Sequence, residues 1–186
     1  MTRRSFGLLA AALVWALAFN AAALAQDDTG ESLSQMKAPV CMSSDELVAY
    51  QTTLSFATVG TLLERCKTSF SDRLDAKSIQ AVEDANQQVS LRPGPVMRRI
   101  NGQAREPFER AFPGRGASRF ADVLQGDLKR IMSRARAETL ESCQKLIGLW
   151  IPKISENIWE ETLESFGLTA FKRDVIRRRR AFRDCE

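Results

Sequence analysis

Helical periodicity between Ser118 and Ile151 constrains this chain more than any other feature. Apolar residues recur there every three or four positions: Phe120, Val123, Leu124, Leu128, Ile131, Met132, Ala135, Leu140, Cys143, Leu146, Ile147 and Trp150. Such spacing lays one stripe along a helix, so the pattern predicts a single long buried helix around which the rest packs. Gly114 and Gly116 precede it, Ser118 is the expected N-cap, and Pro152 is expected to push Ile151 out of helical geometry and end it. With a rise of about 1.5 Å per residue it would run roughly 50 Å, enough to cross a whole domain. Gly126 is its weak point, since an interior glycine costs about 1 kcal/mol relative to alanine.

The cysteines supply the second constraint. There are four, at 41, 66, 143 and 185, and none forms a close Cys-x-x-Cys pair, which disfavours a zinc site or a thioredoxin-like redox role. Ser43-Ser44-Asp45-Glu46 is a capping box that opens a helix carrying Leu47, Tyr50, Leu54, Val59, Leu62, Leu63 and Cys66 inward, with Gly60 allowing another backbone to approach. If that helix is continuous from 44 to 67, Cys41 and Cys66 lie roughly 35 Å apart, whereas a bridge needs Cα atoms within about 7 Å. Of the two remaining connectivities, Cys66 with Cys143 is preferred because both sit on apolar helical stripes. Cys41 with Cys185 then ties the chain ends together.

Two disulfides require an oxidising destination, and the N-terminus fits one. Arg3 and Arg4 are followed by an apolar run from Gly7 to Phe19 and then by Ala23-Leu24-Ala25, a small-x-small pattern of the kind signal peptidase cuts. Residues 1–25 are therefore expected to be a cleaved signal peptide, 26–40 a flexible polar leader and 41–186 the helical domain. An uncleaved anchor is the competing reading, disfavoured by Asn20 and the cleavage pattern. The order Thr2-Arg3-Arg4-Ser5-Phe6 also resembles a twin-arginine export signal, although the general secretory route is preferred. The expected localisation is periplasmic or secreted, in a bacterial cell envelope.

Removing residues 1–25 takes away two arginines and no acid, lowering the formal net charge of +4 by two. So small a charge, in an exported chain with little aromatic interleaving, points away from nucleic acid. Roughly 160 residues remain, one domain's worth, able to bury about two thirds of the unfolded surface. Histidine is absent, which removes Ser-His-Asp and Cys-His devices and every histidine metal site.

The remaining segments also read as helices. Asp72 to Ser90 is ended by Arg92-Pro93-Gly94-Pro95; a short piece spans Val96, Met97 and Ile100; Pro107 starts another turn or two with Phe108 and Phe112; Pro113-Gly114-Arg115-Gly116 is a loop. Pro152 to Phe166 is expected to form a helix closed by Gly167 as C-cap, and Thr169 to Arg183 a last one. No stretch alternates with period two. The fold expected is all-α, a single irregular domain of about five or six helices around one long central helix, with two disulfides.

Three features bear on chemistry. Glu156, Glu160 and Glu164, with Glu161 beside them, share a helix face and are matched by Lys172, Arg173 and Arg177 to Arg180 on the next helix. Arg177-Arg178-Arg179-Arg180 and Arg183 form a basic run whose four consecutive members encircle a helix at about 100° per residue. That run complements a helix C-terminus and could also meet anionic headgroups or acidic envelope polymers. Glu-Ser, the pair that marks the general acid in lytic transglycosylases, occurs as Glu141-Ser142 and Glu164-Ser165, without that family's Gly-Leu-Met-Gln type motif. The chain is accordingly read as an exported helical protein that binds or assists an envelope partner. It needs no cofactor or metal and has no catalytic residue assigned, the alternatives being a carboxylate-dependent peptidoglycan hydrolase or a binder of anionic membranes. The candidate interaction surface is Lys172, Arg173, Arg177, Arg178, Arg179, Arg180 and Arg183.

Overall fold

The computed structural model describes residues 31–36, 40–91, 94–134 and 139–155, together with Thr162, Ser165, Gly167 and Thr169. Among these residues there are five α-helices and no strand: α1 (Ser44–Ser69), α2 (Ala76–Leu91), α3 (Pro95–Ala111), α4 (Gly116–Arg134) and α5 (Leu140–Ser155). A 3-10 turn, Leu33–Gln35, precedes them. No helix among the described residues is long and apolar enough to cross a membrane.

The hub is α1, and not the segment from Ser118 to Ile151. It packs against each of the other four helices, while α3 also packs on α4 and α2 on α5. Burial on many sides explains its composition. Small and hydroxylated residues, including Ala49, Thr52, Thr53, Ala57, Gly60 and Thr61, alternate with Leu47, Tyr50, Leu54, Phe56 and Leu63 in its buried set. Hydroxyls within a buried helix need partners, and Thr52, Thr53, Ser55, Thr58 and Thr61 each donate to the carbonyl four residues back. The expected capping box starts the helix: Ser43 Oγ accepts from the Glu46 N–H at 3.3 Å, and Glu46 Oε2 accepts from the Ser43 N–H at 2.8 Å.

The expected central helix is two helices. Thr139 Oγ1 accepts from the Ser142 N–H at 3.1 Å while Ser142 Oγ accepts from the Thr139 N–H at 2.9 Å, a reciprocal cap that begins α5 afresh. Gly126, the anticipated weak point, lies buried within α4. That helix also begins earlier than Ser118. Arg115 is its cap residue, its carbonyl accepting from the Arg119 N–H, and Ser118 Oγ donates to the same carbonyl. Gly116 is required there by contact, since a Cβ on it would fall 2.4 Å from Glu109 Cα, and Gly114 makes the preceding turn with φ at 76°.

Proline misled in the opposite direction. Pro107 lies inside α3 and Pro152 inside α5, so neither starts nor ends a helix. In α3 the buried row Met97, Ile100, Ala104 and Phe108 runs straight past Pro107, and its packing outweighs the lost N–H. Likewise α2 begins at Ala76, not Asp72, and Asp75 caps it, its Oδ1 accepting from the Ser78 N–H at 2.8 Å. Gly167 is helical and buried, not a C-cap, and it lies against Thr52 of α1 so closely that a Cβ would clash with the threonine side chain.

Cys66 of α1 and Cys143 of α5 form the expected disulfide, with Cα atoms 5.4 Å apart and both side chains buried. It is the one bridge whose two ends lie among the described residues. Cys185, the partner expected for Cys41, lies outside them, and two disulfides are not established. An aromatic trio closes the opposite part of the core: Phe108 and Phe120 meet edge-on at 5.5 Å, and each ring lies 6.2 Å from Tyr50.

Candidate functional site

Most residues singled out from the sequence lie outside the described part of the chain. These are Lys172, Arg173, Arg177, Arg178, Arg179, Arg180 and Arg183, together with Glu156, Glu160, Glu161 and Glu164. Glu141 is described, and its surroundings are ordinary. Its side chain is 76% exposed and pairs with Lys145 at 2.7 Å, one turn along α5. Ser142 is occupied in capping the same helix. A general acid works from within an enclosed cleft, and this side chain is open to solvent.

The structure instead gathers a polar cluster between α1, α4 and the segment before α1. Along α4 the buried row is Gly116, Phe120, Val123 and Asp127, so an acid occupies an innermost position. Asp127 is 8% exposed, and its Oδ2 accepts from the Tyr50 hydroxyl at 2.8 Å and from the Leu33 N–H at 3.3 Å. Burial pushes the Tyr50 phenol well above its ordinary range, and the negative charge of Asp127 and the donated hydrogen bond push the same way, against the opposing field of Arg130. Tyr50 is therefore a neutral donor, held between Phe108 and Phe120.

One turn beyond Asp127, Arg130 Nη1 donates to the hydroxyls of Ser32 and Ser34. Arg119 pairs with Glu31 at 2.8 Å and lies 5.4 Å above the Phe112 ring. Residues 31–36, expected to belong to a flexible leader, are thus docked on α4. Ser32 is fully buried, where its Oγ and N–H both meet Gln35 Oε1, at 2.8 and 3.2 Å. The sequence reading did not single out this cluster, because only apolar residues were taken to mark the buried stripe and Asp127 is an acid lying within it. Its spacing from Phe120 and Val123, seven and four residues back, was the available signal.

A second polar contact joins α3 to the start of α1. Arg110 Nη1 donates to Glu46 Oε1 at 2.7 Å, and this bond, chiefly, holds the Glu46 carboxyl below its usual range against the opposing effect of partial burial. Beside it, Asp45, Val48, Ala49, Thr52, Arg99, Ile100 and Gln103 line a groove of about 200 Å³ between α1 and α3. That is smaller than the roughly 300 Å³ at which small-molecule sites begin. Among the described residues no three cysteine or carboxylate side chains converge as metal ligands would.

In sum of its chemistry, the described body offers neutral hydrogen-bond donors, paired charges and one disulfide, arranged to hold chain segments together. No family model, curated protein or solved structure matches the chain, so its functional reading rests on its own residues.

Proposed function

We propose that the chain is an exported, disulfide-held helical protein of the bacterial cell envelope that acts by binding or assisting a partner. The observation that carries this reading is the buried Cys66–Cys143 bridge between α1 and α5, because such bridges persist where the environment is oxidising. It agrees with the signal-like residues 1–25 and with a chain that has no histidine. Cys41 and Cys185 are the two cysteines that remain beside Cys66 and Cys143 in the sequence. A second bridge, between Cys41 and Cys185, is part of the proposal, because export to an oxidising compartment would pair them. The basic run from Lys172 to Arg183 is the surface proposed to meet the partner or an anionic envelope polymer.

Expression with the native N-terminus, fractionation, and intact-mass analysis test this reading. An envelope fraction whose chain begins at Gln26 is expected. A chain that keeps Met1, or one recovered reduced in the cytoplasm, contradicts export. Capture of envelope proteins by the oxidised chain, lost when Arg177, Arg178, Arg179 and Arg180 are replaced by serine, is the expected result for the binding surface. Undiminished capture contradicts that assignment.

A further inference from the structure

Residues 31–36 are held to α4 by polar contacts almost alone. Arg119, Asp127 and Arg130 fall within a sector of about 80° on that helix. The first pairs with Glu31, the second accepts the Leu33 N–H, and the third donates to the hydroxyls of Ser32 and Ser34. The apolar contribution is confined to Leu33 and Met36, both only partly buried. Ordering each backbone residue costs about 1–2 kcal/mol, while a partly exposed ion pair such as Arg119–Glu31 returns about 0–1 kcal/mol. The segment is therefore held by a smaller margin than the helices beneath it, which share a continuous apolar core.

From this arrangement we infer that Glu31–Met36 is a latch that opens while the helical body stays folded, with Asp127 as its catch. Closed, Asp127 Oδ2 is shared between the Tyr50 hydroxyl and the Leu33 amide. Open, it keeps Tyr50 alone, and α4 presents Arg119, Asp127 and Arg130 in a row. That row suits a peptide of the latch's own chemistry: an acid leading into an apolar residue flanked by hydroxyl side chains, with a free backbone N–H for Asp127 and hydroxyl oxygens for Arg130. The latch is thus a self-occupied peptide site.

Hydrogen exchange on the oxidised full chain tests the opening. The Leu33 amide is expected to exchange on the order of 100-fold faster than the amides of Tyr50 and Leu54, and Arg130→Ala to quicken it about tenfold further while leaving those α1 amides unchanged. Exchange of Leu33 in step with Tyr50 and Leu54 overturns the inference, as does a Leu33 rate unmoved by both Arg130→Ala and Asp127→Asn. The site beneath is tested with Leu33→Asp, which puts a charged side chain where Leu33 packs on the apolar core, next to the negative Asp127, and so keeps the latch open. With its helical circular dichroism retained, this variant is expected to bind a labelled peptide of residues 30–36 at least about tenfold more tightly than the parent chain does. Equal binding by the two proteins, or none by Leu33→Asp, overturns the peptide site.

Discussion

Tyr50 shows what one residue decides in this chain. It is the only tyrosine, its side chain is fully buried, and its hydroxyl is one of the donors that satisfy Asp127. Tyr50→Phe keeps the ring between Phe108 and Phe120 but leaves a buried carboxylate short of a partner, so a loss of about 1–3 kcal/mol is expected from the urea midpoint. Two glycines make an opposed pair at the same scale. Gly116→Ala drives a Cβ into the Glu109 backbone and is expected to lower stability by about 1–3 kcal/mol. Gly102→Ala, in an exposed interior turn of α3 with nothing within 4 Å, is expected to raise it by about 0.5–1 kcal/mol. Thermal melts of the two variants beside the parent check both signs. Glu46 gives the pH dependence. Its carboxyl is depressed in the folded chain, chiefly by Arg110, so the stability it contributes is present above the unfolded carboxylate pKa and is lost as pH falls through the lower folded value. Arg110→Ala is expected to flatten that part of a stability-against-pH curve, read from urea midpoints across the acid range.

At the scale of elements, the sequence disclosed faces better than ends. Of the expected stripe Leu47, Tyr50, Leu54, Leu63 and Cys66 are buried while Val59 and Leu62 are only partly so, and the box at Ser43 and Glu46 starts α1 where expected. Both signals are local, set by residues within a turn of one another. The break between α4 and α5 was not legible from periodicity, because apolar residues at Met132, Leu140 and Cys143 keep a helical interval across it. Thr139 and Ser142 carried that information in the polar residues instead. Pro107 failed as a start signal and Pro152 as a stop signal for the converse reason, that tertiary packing overrides a local penalty of about 3 kcal/mol. Thr139→Ala is expected to cost about 1 kcal/mol and to fray the first turn of α5, seen as faster exchange of the Ser142 amide with α1 unaffected. The docking of residues 31–36 was invisible for a third reason. It depends on Asp127 and Arg130, more than ninety residues away in sequence.

At the scale of the whole molecule, α1 touches each of the other four helices among the described residues, and the disulfide fastens its C-terminal half to α5. A bridge across a sequence separation of 77 removes chain entropy from the unfolded state worth about 4–5 kcal/mol. That is a large share of the roughly 5–15 kcal/mol available to a domain. Because Cys66 and Cys143 are buried among helices that must part before a reductant can reach them, the bridge is expected to resist mild reductant in the folded chain and to yield only in denaturant. The measurement that bears most directly on this architecture is a non-reducing peptide map of the purified chain. A fragment containing Cys66 joined to one containing Cys143 is the predicted result. Free thiols at both positions, or Cys66 joined to Cys41 or Cys185, contradict it.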